Sequence, residues 1–269
     1  MAAKLPFGCM SLLAATVLAL AGGGAVLAQD ALAGKQAMIV GMHYVVPPFV
    51  GGTKVRTPEA VDTALAEALA EGMRARLVAV STTQVAATAA DPAAPRASLI
   101  ALEPQQSLPA TLVTIPTGYK AGAMAIMRTD TDITSWEQLK GRTVCLSEGS
   151  RYVGKMASQY GAIEMVKRAP ADSLLALRIG SCDAAVHDNV MLEQLLTFPE
   201  WKKFSAQLRP SSVSPLVFAV PADDAATVAA TKRLAAAWKA DSYLAKLNQQ
   251  RVRDIAFEVY LDQNVPDCH

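Results

Sequence analysis

The 269-residue chain carries 25 Lys and Arg against 24 Asp and Glu, and it is 52% hydrophobic with only 18% charged residues. A nucleic-acid binder needs a basic surplus to neutralise phosphates, and a chain this apolar buries enough surface to offset its ordering entropy, so neither nucleic-acid binding nor disorder fits. One or two compact lobes are expected.

In chain order, residues 1–28 read as a signal peptide. Lys4 supplies a positive start, residues 10–20 an apolar stretch, and Val26 and Ala28 frame a cleavage point after Ala28. A membrane anchor is the other reading, against which Gly22-Gly23-Gly24 weakens a spanning helix. Cleavage removes Lys4 and leaves 24 charges of each sign. No later segment approaches the ~18 unbroken apolar residues of a span, so the mature chain is expected to be periplasmic and without membrane insertion.

Ala37-Met38-Ile39-Val40-Gly41 predicts a strand that breaks before Pro47-Pro48, whose rings cannot continue a ladder. Over residues 58–73 the apolar Val61, Leu65, Ala68 and Leu69 recur at helical spacing, with Pro58 suited to a first turn and Gly72 to an end. Residues 76–80 and 97–102 are two further strands, and 86–95, rich in Ala, Asp and Pro, reads as a weak helix or loop. Strand, helix, strand implies parallel pairing.

The alternation restarts with a strand at 122–127, a short capped helix at 134–139, a strand at 143–147 and a helix from Gly149 through Tyr160. A strand at 165–167, a helix at 171–179, a strand at 184–186 and a helix at 190–196 complete this unit, and a last strand at 216–220 precedes helices at 224–240 and 241–248. That last strand has no local partner and returns most economically to the first sheet. The fold class is therefore α/β with two lobes, 29–120 plus 216–269 and 121–215, joined by crossings near 119–122 and 212–216. A cleft between such lobes is a natural ligand site.

Export places Cys145, Cys182 and Cys268 in an oxidising compartment, while Cys9 leaves with the signal. Cys145 lies in one predicted strand and Cys182 just before another, so neighbouring strands would join them in a disulfide; two unpaired buried thiols are the alternative. Cys268 has no evident partner. No CxxC or His-rich spacing points to a metal, no G-x-S-x-G or phosphate loop appears, and no cofactor is expected.

Several stretches, in this order, resemble the amino-acid (family 3) branch of the type II periplasmic solute-binding proteins. They are Val40-Gly41 followed by Pro47-Pro48-Phe49, Val61-Asp62 in the first helix, Tyr119-Lys120-Ala121-Gly122 at the crossing, and Leu139-Lys140-Gly141-Arg142-Thr143-Val144 turning into a strand. Gly149-Ser150 takes the place of the family's ligand loop, and Gly180-Ser181-Cys182-Asp183-Ala184-Ala185-Val186-His187-Asp188 is similar to its strand ending in an aspartate. The match spans residues 38–248.

The resemblance implies that Asp188 takes a ligand ammonium through a charge-assisted hydrogen bond, although an Asp there also suits the cap of the following helix. His187 is either a hydrogen-bonding neighbour or a packed ring. Gly149 and Ser150, opening a helix, would offer free N–H groups and a hydroxyl to an anion, with Arg151 adding charge and Ser147 a lesser candidate. In the first lobe the pattern departs: residues 101–111 contain no Arg where the family carries its carboxylate clamp, and Glu103 stands there instead. His43 takes the place of the family's cleft aspartate, Tyr44 and Phe49 could supply a stacking face, and Tyr119 lies at the crossing.

What remains fits a small cationic or polar amine-bearing solute, or an amino acid held by Ser150 and Arg151 alone. The expected role is the monomeric solute-binding protein of an ABC-type transporter, with a permease as partner. The alternatives are a sensor or partner-binding module that kept the fold, and a dehydratase-like enzyme with Glu103 or Glu148 as general acid.

Overall fold

Alternating apolar residues sort into two five-stranded sheets, each covered by helices, in a computed structural model that describes residues 36–48, 50–81 and 93–263. The signal segment, Cys9, Phe49, Cys268, His269 and the 86–92 part of the Ala-rich stretch lie outside the described residues. In chain order the elements begin with β1 (Ala37–Met42), α1 (Asp62–Gly72), β2 (Arg76–Ser81), β3 (Ala97–Ala101), β4 (Leu112–Ala121) and β5 (Ala123–Met127). There follow β6 (Thr143–Ser147), α2 (Lys155–Tyr160), β7 (Ile163–Lys167), α3 (Pro170–Arg178), β8 (Ala184–Asp188) and α4 (Asn189–Leu195). The chain closes with β9 (Ala206–Leu208), β10 (Ser214–Pro221), α5 (Ala225–Ala240) and α6 (Tyr243–Leu261).

The first sheet runs β2-β1-β3-β10-β4 and the second β7-β6-β8-β5-β9. Around β1 and around β6 the pairing is parallel, as the βαβ pattern implies, while β10 and β5 run antiparallel to their neighbours. The last strand does return to the first sheet, lying between β3 and β4. The first core gathers Met38, Val40, Leu65, Leu69, Phe218 and Trp238, and the second Met124, Ile126, Leu174, Leu192 and Trp201. Ser135 and Gln138 form the capping box expected of the short helix, which is a 3-10 turn over Trp136–Leu139. Cys145 and Cys182 are joined in a disulfide with Cα atoms 5.8 Å apart.

Four expectations need correction. The strand β4 was not foreseen, because Pro116 within it argues against a ladder; β4 is an edge strand, where a missing N–H can face solvent. The first helix starts at Asp62, not Pro58, leaving residues 58–61 outside it. The helix expected from Gly149 is only α2: Gly149 and Gly154 adopt φ of 77° and 82°, so 149–154 is a run of turns. The final helix continues thirteen residues past Asn248 to Leu261.

That continuation matters for the architecture. Tyr243, Leu244 and Leu247 pack on the first core, and Val252, Ile255 and Val259 are buried in the second. The C-terminal helix is thus a third link between sheets that the strand-bearing chain joins twice. At one of those crossings Gly122 is needed for space, since a Cβ there would stand 2.0 Å from the Ser212 carbonyl oxygen. The two crossing segments therefore run backbone to backbone.

Candidate functional site

The sheets are closed on each other through polar contacts made by residues at strand ends and in the loops after them. From the first lobe, the Tyr44 hydroxyl donates to Glu148 at 3.1 Å, Glu103 accepts from Lys155 at 2.8 Å, and Arg56 donates to Asp172 at 2.9 Å. The backbone also comes close at Gly149, where an added Cβ would lie 2.6 Å from the Tyr44 ring, so this turn admits no side chain in the closed state.

Glu59 makes the most buried of these contacts. The segment before α1 carries it out of the first lobe, and its Oε2 accepts from Ser147 at 2.5 Å and lies 2.7 Å from His187 Nδ1. His187 Nε2 is 3.0 Å from the Ser173 hydroxyl, and Arg251 of α6 donates to the Pro58 and Glu59 carbonyls. Burial would raise the Glu59 carboxyl, but its interactions with His187, Ser147 and Arg251 outweigh this and hold it below the usual range.

Beside this network lies a cavity of about 510 Å³. One wall is apolar and comes from β3, β10 and the loop into β4: Leu99, Ile100, Leu108, Leu112 and Leu216. The rest of the lining is polar or charged, with His43, Glu59, Asp62 and Glu103 from the first lobe and Arg151, Lys155 and Asp188 from the second. Burial, and then the charges of Arg151 and Lys155, push the His43 imidazole down, favouring its neutral form.

Asp188, at the end of β8, is already engaged. Its Oδ2 accepts from Tyr119 at 2.7 Å and from Arg151 at 3.4 Å, and its Oδ1 accepts from Tyr152 at 2.6 Å. Burial and the adjacent carboxylate raise both tyrosines, which keeps their protons on and donating. No side-chain cap bond to α4 forms, so the capping alternative for Asp188 finds no support.

Of the residues expected at the site, His43, Glu103, Gly149, Arg151 and Asp188 line the cavity. Tyr119 touches it only through Asp188. Ser147 and His187 are fully buried behind Glu59, and the buried Ser150 hydroxyl accepts from the Tyr152 amide. With no helix starting at Gly149, the anticipated helix-end anion site does not form. Tyr44 instead lines a separate space of about 420 Å³.

Sequence reasoning missed Glu59, Tyr152, Arg251 and Asp62. Asp62, 6% exposed, is bonded by its own backbone amide and by no other side chain among the described residues. Burial raises its carboxyl to about 6 despite the opposing charges of Arg151 and Arg251, with Asp188 adding to the rise. Among the described residues no group of three or more His, Cys, Asp or Glu is placed to hold a metal ion, and no helix is long and apolar enough to cross a membrane.

No protein-family model matches the chain, and no curated protein does. Solved structures do. An ancestral cationic amino-acid solute-binding protein is 19% identical with a TM-score of 0.52, over 84% of this chain and 99% of that one. The substrate-binding protein AbpA of an amino-acid ABC transporter from Streptococcus pneumoniae, bound to L-arginine, is 17% identical with a TM-score of 0.51, over 84% and 98%. The chain has the two-lobed solute-binding-protein fold. The GluR0 ligand-binding core in complex with L-glutamate shares it at 15% identity and a TM-score of 0.52, covering 81% of this chain and 99% of that one. At these identities the likeness concerns the solute-binding-protein fold, and the occupant of the cleft has to be argued from this chain's own residues.

Proposed function

We propose that the chain is the solute-capturing component of an ABC-type importer, working as a monomer in the periplasm after removal of residues 1–28 and delivering its solute to a permease. The observation that carries this reading is a cavity of about 510 Å³ walled by both lobes, within the ~300–1,000 Å³ range of small-molecule sites. The pair Glu103–Lys155 spans it from one lobe to the other. A solute touching both walls favours the closed population because only that population offers it both sets of contacts. The charged lining fits a small amine-bearing solute, an amino acid or a related compound, and the chain does no chemistry on it.

Of the two acids considered for a dehydratase-like role, Glu148 lines the separate space beside Tyr44 and Glu103 has the wrong electrostatics. Glu103 is held below its usual range, first by the hydrogen bond from Lys155, whereas a general acid needs the opposite shift. A catalytic reading rests instead on Asp62, the raised carboxyl in the cavity. Calorimetric titration against a panel of amino acids and amines, with mass spectrometry of each mixture, separates these readings. Saturable heat at micromolar concentrations with unchanged compounds is expected; loss of water from any compound assigns an enzyme, and a flat response across the panel assigns a partner-binding module.

A further inference from the structure

The cations in the cavity already have counter-charges. Arg151 faces Asp188 at 3.4 Å, and Lys155 is bonded to Glu103 at 2.8 Å. Glu59 Oε2 is bonded by Ser147 and lies beside His187, while its Oε1 is buried without a partner. Asp62 is different: a buried carboxylate lining the cavity with no hydrogen-bonding side chain on it among the described residues. The lining carries four carboxylates, Glu59, Asp62, Glu103 and Asp188, against the two cations Arg151 and Lys155, with Arg251 adding its charge from behind Glu59, so the site favours a further positive charge. A further unmet group is Arg151 Nη1, buried without an acceptor, although its guanidinium charge is balanced by Asp188. A neutral oxygen satisfies that N–H without adding a charge that nothing compensates.

We infer that the solute is an amphipathic monocation: an ammonium that pairs with Asp62, a neutral hydroxyl or carbonyl oxygen for Arg151 Nη1, and an apolar body laid on Leu99, Ile100, Leu108, Leu112 and Leu216. A free α-carboxylate is not part of it. The inference rests on the solute-capture reading and narrows its substrate class. Burying a carboxylate here would require a cation released from an existing pair, and the first lobe has no arginine at residues 101–111 to supply one. The apolar wall cannot be matched by a small hydrophilic amine, which would leave that surface in contact with trapped water.

Three compounds of one skeleton test this. L-Phenylalaninol carries the ammonium, hydroxyl and benzyl group; L-phenylalanine replaces the hydroxymethyl by a carboxylate; 3-phenyl-1-propanol lacks the amine. Titrated calorimetrically at pH 7 into the signal-free chain, phenylalaninol is expected to bind about ten-fold tighter than either of the others. Asp62→Asn should weaken phenylalaninol about twenty-fold while leaving 3-phenyl-1-propanol unchanged, and Leu108→Ser, on a loop at the apolar wall, should weaken phenylalaninol about five-fold with the melting temperature retained. Phenylalanine binding as tightly as phenylalaninol overturns the inference, as does an Asp62→Asn variant with native affinity for phenylalaninol. If the amino-acid and amine panel yields a solute that is not cationic, the capture reading stands and this inference falls; if nothing on the panel binds, both fall.

Discussion

Asp62 sits in the protein as an ionisable group at odds with its surroundings, and that has a sign. Its folded value of about 6 lies above its ordinary 3.8, so the native state holds the proton more tightly than the unfolded chain does. Stability attributable to Asp62 is therefore greatest at low pH and is lost as pH rises from about 4 through about 6. The rise corresponds to about 3 kcal/mol above pH 6. Arg151, Arg251 and Asp188 act on its charge, Glu59, His43 and Lys155 line the same cavity, and all are common to the native chain and an Asp62→Asn variant. This includes Glu59, whose depressed value acts in the opposite sense, stabilising above about 4.5 and losing that contribution as pH falls. Asp62→Asn is expected to be more stable than the native chain at pH 7.5 by up to about 3 kcal/mol, with the gap shrinking toward pH 4. Urea midpoints at the two pH values measure it, and equal midpoints at pH 7.5 would sink the idea. A residue that costs stability and faces a cavity is the kind retained for function. Little in the sequence singles it out. Asp62 reads as an ordinary acid in a first helical turn, and Glu59 reads the same way until residues 58–61 prove to be outside the helix, free to reach the other lobe. Asp188 and Arg151 were legible as cavity residues, but the tyrosines that occupy Asp188 were legible only in part: Tyr152 folds back because Gly149 and Gly154 replace a helix with turns.

At the scale of elements, the disulfide ties β6 to the start of β8, neighbours in the second sheet. Constraining a 37-residue separation in the unfolded chain contributes about 4 kcal/mol in the chain-entropy model. The pair Cys145→Ala and Cys182→Ala is expected to lose about that much, read as a lowered urea midpoint, and a midpoint unmoved from that of the oxidised native chain would contradict it. This bridge was legible because two strand patterns and an export signal point the same way. The strand β4 also carries its pattern openly, with Ile115, Thr117, Tyr119 and Ala121 buried and the residues between them exposed. It was obscured by Pro116 on the exposed face and by Thr117, a polar residue on the inner one whose hydroxyl donates to the Leu216 carbonyl. The end of α6 was obscured in the same manner. The polar run Asn248-Gln249-Gln250-Arg251 reads as a helix ending, yet it marks where the helix passes between lobes: Asn248 donates to the Val190 carbonyl and Arg251 to those of Pro58 and Glu59.

For the whole molecule, the contacts that close the lobes differ in strength by their burial. The half-exposed Lys155–Glu103 pair is worth less than about 1 kcal/mol, while Glu59 enters the second lobe fully buried and loses its water in doing so. Closure is thus decided at the floor of the cleft and adjusted at its rim. The long last helix adds an order of events. Val252, Ile255 and Val259 belong to the interior of the second lobe although that lobe's strands end at Leu208. A ribosome that has finished every described strand has still not made the side chains that seal this interior, so the second lobe is left unsealed until Val259 has emerged. A chain stopped after residue 248 should accordingly be cut rapidly within residues 121–208 by dilute protease while the full chain resists; equal resistance of the two would show that the last helix is an ornament on a lobe already complete.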